Sequence, residues 1–95
     1  MAETSFGKPY REFQLMNGDR LREFTENTSS EEFVWHRDKE SRIVYVEECG
    51  ADWLYQEDNK KPVLLNKGDK IQIEKMVYHR LIRGSDKLIV RIKDL

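Results

Sequence analysis

Turn signals recur at short intervals along most of this chain, and that spacing constrains the fold more than any other feature. Asn17-Gly18, Lys39 to Ser41, Cys49-Gly50, the DNKK segment before Pro62, Asn66 to Asp69 and Gly84-Ser85-Asp86 each interrupt the chain before a helix of useful length can form. Between them lie short runs: Glu32 to Asp38, Arg42 to Glu47, Trp53 to Gln56, Val63 to Leu65, Lys70 to Glu74, Tyr78 to Arg83 and Leu88 to Lys93. Strands of this length and spacing predict an all-β fold, an antiparallel sandwich or barrel. Asp19 to Phe24 is ambiguous, because Leu21 and Phe24 stand three apart as on a helix, and Thr25 to Ser30 reads as a polar loop. Residues 1–16 show no periodicity and carry Gly7 and Pro9, so they read as an amino-terminal arm ahead of a barrel domain over 17–95.

A chain of 95 residues suits one domain near the lower limit of independent stability, where a homodimer would add buried surface. Its 17 basic and 18 acidic residues leave a net charge of -1, which supplies no field for nucleic acid or an anionic membrane. No apolar run approaches the roughly 20 residues that span a bilayer, and MAETSFGKPYREF lacks the basic region and apolar core of a signal peptide. A cytoplasmic protein is the expectation. Cys49, the single cysteine, has no partner for an internal disulfide and reads as structural.

Side chains two apart on a strand share a face. Val34, His36 and Asp38 therefore oppose Phe33, Trp35 and Arg37, and in the next run Arg42, Val44 and Val46 oppose Ile43, Tyr45 and Glu47. With the His36 face inside, Phe33, Trp35, Ile43 and Tyr45 form an external apolar patch, which predicts a homodimer interface. Trp53 and Tyr55 share one face and Leu54 and Gln56 the other, so only one of those pairs points inward. Leu88, Val90 and Ile92 form one side of the last strand, and the basic residues Arg80, Arg83, Lys87 and Arg91 read as a solvated face rather than a nucleic-acid surface.

The most specific stretch is Gly68 to Arg83, GDKIQIEKMVYHRLIR. A glycine turn at Gly68-Asp69, buried positions at Ile71 and Ile73, a second turn and then His79 follow in the order of the second signature of the cupin superfamily, which the segment resembles. Glu74 and Met76 stand where that signature has proline and glycine, and Arg83 where asparagine is common. The first signature has two histidines one residue apart, then a glutamate three or four residues on, then a glycine. His36 matches the first histidine and Asp38 takes the second one's place. The longer spacing puts Ile43 at the glutamate position and places Gly50 correctly, whereas the shorter one gives Arg42, which shares the face of Val44 and Val46. The resemblance runs from about Glu32 to the carboxyl end. It implies a single-domain jelly-roll β-barrel, often dimeric, whose interior binds a metal, a sugar or another small molecule.

Carried onto this chain, the resemblance implies His36, Asp38 and His79 as metal ligands, a set suited to Fe(II) with open positions and acceptable to Zn, Mn or Ni. Arg42 complicates the site, because a permanent cation near a divalent metal is unfavourable unless a carboxylate lies between them. Asp38 either ligates the metal, pairs with Arg42, or does both. Arg42 is also a natural partner for an anionic ligand, and Trp53, Tyr55 and Gln56 are expected to border the same cavity.

The leading expectation is a cupin-like protein that binds a small molecule at a mononuclear divalent metal. As an enzyme it would be an oxygenase, isomerase or lyase. The alternative is a non-catalytic, metal-free binding or assembly module with Asp38 and Arg42 as an internal ion pair, and a third is a metal-free sugar-modifying cupin with His36 or His79 as general base. No nucleophile turn, glycine-rich phosphate loop or zinc-finger spacing points to other chemistry.

Overall fold

The computed structural model describes residues 2–4, 10–28 and 31–95. Among them the chain forms strands β1 (Ala2–Glu3), β2 (Arg11–Gln14), β3 (Arg20–Phe24), β4 (Arg42–Cys49), β5 (Leu54–Glu57), β6 (Val63–Leu64), β7 (Lys70–Ile73), β8 (His79–Ile82) and β9 (Leu88–Asp94), with one 3-10 turn at Glu31–Phe33. A six-stranded sheet in the order β1-β2-β3-β9-β4-β7 faces a three-stranded sheet, β6-β5-β8. Every strand pairing is antiparallel. The result is the all-β fold expected from the turn spacing, in the jelly-roll form that the cupin resemblance implies.

Register decides what the large sheet turns inward. One row runs Glu12, Arg22, Val90, Val46 and the next runs Arg20, Ile92, Val44, Ile71. Each row begins charged at β2–β3 and becomes aliphatic across β9, β4 and β7, so the barrel has a polar flank and an apolar one. Leu88, Val90 and Ile92 are buried as the alternation of β9 predicts. Trp53 is fully buried, and its indole N–H donates to the Ser85 carbonyl at 3.0 Å, which removes the cost of burying that donor. A chain of ring contacts, Tyr10 to Phe24 to Phe33 to Trp53, with centroids 5.3, 5.8 and 6.1 Å apart, ties the two sheets together.

Two turns confirm the glycine logic of the sequence, and one departs from it. Gly68 adopts φ +93°, and a Cβ built on Gly50 would lie 2.1 Å from the Ser85 carbonyl oxygen, so the two loops close on each other only because that position has no side chain. Met76, standing where the resembled signature has glycine, keeps the left-handed backbone with φ 66°.

Several expectations are corrected. Of the arm expected over 1–16, Met1 and residues 5–9, with Gly7 and Pro9, lie outside the described residues, but Ala2–Glu3 and Arg11–Gln14 are strands of the large sheet. The ambiguous Asp19 to Phe24 segment is a strand, because its charged residues Arg20 and Arg22 face the polar flank. Glu32 to Asp38 is not a strand. The 3-10 turn breaks its alternation, so Phe33 packs against the core while Val34 is exposed. Arg83 pins this turn by donating to the Thr28 carbonyl and lying over the Phe33 ring.

The external patch therefore does not assemble as expected. Phe33 is on the core side, Trp35 lies under Arg80 of the small sheet, and Tyr45 is flanked by Arg91 and Lys70 on the outer face of the large sheet near Ile43. No helix among the described residues is long and apolar enough to cross a membrane.

Candidate metal centre

The connection between β3 and β4 crosses the polar end of the barrel and delivers Glu32, His36 and Asp38. His36 exchanges both backbone hydrogen bonds with His79, N to O at 3.1 Å and 2.8 Å, in an isolated antiparallel bridge. Directly opposed residues of such a pair project to the same side. The two imidazoles consequently meet, with centroids 4.3 Å apart and planes at 62°.

Both rings are oriented in the same way. His36 Nδ1 lies 2.8 Å from the Val34 carbonyl, and His79 Nδ1 lies 2.8 Å from the Val77 carbonyl. A carbonyl only accepts, so Nδ1 carries the proton in each ring and Nε2 of the neutral imidazole is left with its lone pair. Fixing the tautomer through Nδ1 is the usual way a protein prepares Nε2 for a metal.

Glu32 completes the set. Its Oε1 is 2.9 Å from Arg22 Nη1 and its Oε2 is 2.8 Å from His36 Nε2, so one oxygen is held while the other faces the histidines. Ligand atoms of Glu32, His36 and His79 all lie within 4.8 Å of one another. Donors bound to one ion at about 2.0–2.2 Å stand at most about 4.4 Å apart, so a small inward shift of these side chains would close the set around one ion. Burial would raise the Glu32 carboxyl, but the adjoining His36 imidazole and the charges of Arg22 and Arg42 hold it at about 2. Burial likewise opposes the charge on His36, and Glu32 and the Val34 carbonyl outweigh it, so its pKa is raised.

Asp38 sits one step outside the three. Its Oδ2 is 3.2 Å from His79 Nε2 and its Oδ1 is 3.4 Å from Arg42 Nη1, which places a carboxylate between the imidazole and the guanidinium. That is the arrangement needed for Arg42 to coexist with a cation. His36 Nε2, Asp38 Oδ2 and Arg42 Nε are buried at ion-pair distance from a neighbour, yet none has a partner aligned for a hydrogen bond. Misaligned buried donors and acceptors converging on one place fit a metal or a small ligand better than a finished hydrogen-bond network.

Around this centre runs a closed ring of charge. Arg22 binds Glu12 at 2.7 Å, Arg20 reaches Glu12 at 3.7 Å and Asp94 at 3.1 Å, and Arg42 Nε contacts Asp94 at 3.0 Å. Glu12 and Arg22 are deeply buried, so each depends on the other for compensation. The Arg22 pKa is raised, because Glu12, Glu32 and Tyr10 outweigh burial.

The residues singled out from sequence are distributed unevenly. His36 and His79 are brought together, Asp38 and Arg42 adjoin them, and Tyr55 lines the interior. Burial, Glu57 and Asp38 all raise the Tyr55 phenol, whose hydroxyl donates to Glu57. Trp53 is core, and Gln56 faces away, accepting from Arg80 and donating to the Lys60 carbonyl. Glu32 replaces Asp38 in the set of three converging donors. Its signal was present in TSSEEF, where serine precedes glutamate as it does at helix starts; the 3-10 turn at Glu31–Phe33 holds Glu32, and the chain leaving it brings His36 within 2.8 Å of that carboxylate. Arg20 and Arg22 were missed because Asp19 to Phe24 reads ambiguously between helix and strand, so no inward face could be assigned to it.

No protein-family model matches the sequence, and no curated protein matches it either. Solved structures do. A cupin-like protein from Thermotoga maritima MSB8 superposes with a TM-score of 0.60 at 25% identity over 87% of this chain and 65% of that one, so the chain spans just under two thirds of its length. A Neisseria meningitidis protein has a TM-score of 0.57 at 13% identity, covering 90% of this chain and 81% of that one. A Planctomyces limnophilus protein has 0.56 at 18%, covering 88% and 72%. The last two likenesses are of fold alone. Sheet order, register and these superpositions together make the chain a small protein of cupin-like fold, a jelly-roll barrel with two histidines at its charged mouth.

Proposed function

We propose that the protein binds one divalent metal ion through Glu32, His36 and His79 and offers it to a small-molecule ligand at the barrel mouth. One observation carries the reading: both Nδ1 atoms are committed to backbone carbonyls, which leaves the Nε2 lone pairs for a metal, and Glu32 and the two histidines place ligand atoms within 4.8 Å of one another. Two imidazoles and one carboxylate suit Fe(II), Zn, Mn or Ni and leave positions open. An ion held there supplies Lewis-acid character to whatever ligand enters. Arg22 orients Glu32, and Asp38 screens Arg42 from the ion.

Metal analysis of untagged protein tests this, with Glu32→Gln and His79→Ala beside the unmodified chain. One equivalent of metal in the parent and a loss of affinity of about 100-fold or more in each variant is expected. A parent that takes up none of the four ions would overturn it. The ring of ion pairs favours a second reading, in which protonated His36 and His79 simply neutralise Glu32 and Asp38 in a metal-free binding module. Stability indifferent to both metal and chelator would select that reading.

A further inference from the structure

The interior next to the charged ring is lined by hydrocarbon. A chamber of about 50 Å³ is walled by Val44, Val46, Leu65, Ile71, Ile73 and Ile92, and it meets charge only at one end, at Arg22, Glu32, Asp38, Arg42 and His79. An open groove of about 490 Å³ lies on the other side of the same collar, sharing Arg22, Glu32, Asp38 and Arg42 with the chamber. Anything entering from the groove passes charge first and hydrocarbon second. Tyr55 also borders the chamber, and its hydroxyl is engaged with Glu57 at 3.2 Å.

Charge sets the other end of the ligand. Four carboxylates, Glu12, Glu32, Asp38 and Asp94, face three guanidiniums, Arg20, Arg22 and Arg42, in the ring, a balance of 3 − 4 = −1 with neutral histidines. A divalent ion inverts that balance to +1, and Arg37 adds a further cation at the groove. The loaded mouth thus attracts an anion, and Arg42 Nε is a buried donor without an aligned acceptor.

We propose that the ligand is a small carboxylic acid with a short, branched apolar body, its carboxylate at the metal and Arg42 and its hydrocarbon in the chamber. This rests on the metal reading above. The chamber holds on the order of four water-sized groups, which fits a three- to five-carbon body and excludes a long chain. Polyhydroxylated acids are disfavoured, because each hydroxyl entering the chamber loses its water without gaining a partner, a loss of roughly tenfold in affinity.

The test is calorimetric titration of the full chain, zinc-loaded and metal-free, with 3-methylbutanoate, acetate and 2,3,4-trihydroxybutanoate, with zinc content counted separately. The zinc-loaded protein is expected to bind 3-methylbutanoate at least about tenfold more tightly than either other acid. Arg42→Gln should weaken that binding about tenfold at unchanged zinc stoichiometry. Ile71→Phe, by filling the chamber, should abolish the preference over acetate. Should either variant fail to fold, the three acids on the unmodified chain still decide. One equivalent of zinc without preference for 3-methylbutanoate overturns the ligand class and leaves the metal reading standing. The same preference in protein that takes up no zinc overturns the metal reading and leaves the chamber's ligand assigned. Absence of both binding events overturns both.

Discussion

Two stretches supply the histidines, and they are held by different means. From Gly68 to Arg83 the chain is two regular strands, β7 paired along its length to β4 and β8 to β5. From Glu31 to Asp38 it is a 3-10 turn and a single bridge. Yet each carries an imidazole whose Nδ1 meets the carbonyl two residues before it, at 2.8 Å in both cases. A continuous ladder is not what orients a ligand here. One backbone pairing suffices if neighbouring side chains anchor the segment, and Phe33 on the core and Arg22 on Glu32 are those anchors.

The comparison breaks most completely if Arg22 is removed. Arg22→Met leaves Glu12 buried without its closest cation and releases Glu32, and a loss of about 3–5 kcal/mol in urea denaturation is expected. A loss below about 1 kcal/mol would mean that the irregular segment holds itself. The anchor on the other side gives a smaller effect. Phe33→Ala, at a half-buried ring, should cost about 2 kcal/mol, while Trp35→Ala, two residues along and exposed beneath Arg80, should cost under about 1 kcal/mol. The reverse order would restore the strand-like alternation that the sequence suggests. The smallest effect tests the regular stretch. Met76→Gly relieves a left-handed backbone at an exposed position and should raise stability by up to about 1 kcal/mol, part of the gain being offset by the freedom glycine adds to the unfolded chain. Destabilisation instead would show that the Met76 side chain contributes packing that offsets its strain.

Legibility followed the same division. Ile71, Ile73, Leu88, Val90 and Ile92 alternate, and alternation was enough to place them inside. Gly50 and Gly68 marked the turns they form. Around His36 the alternation was misleading: Val34, His36 and Asp38 were placed on one face, but the intervening backbone is irregular, and Glu32 joins the pair of histidines while Asp38 meets His79 alone among them. The charged interior at Glu12, Arg20 and Arg22 was hidden for a related reason. A charged residue on a strand is read as outward unless its partner is known, and the partners lie on other strands or segments.

By itself, then, the sequence determined the fold class, the positions of the turns and the two histidines, because hydrophobic period and turn chemistry act over a few neighbouring residues. Only the tertiary structure decided which carboxylate meets them, which arginines line the mouth and that Phe33 belongs to the core. Those outcomes depend on contacts between residues distant along the chain, such as Arg22 with Glu32 or His36 with His79, whose register is set when the sheets pack.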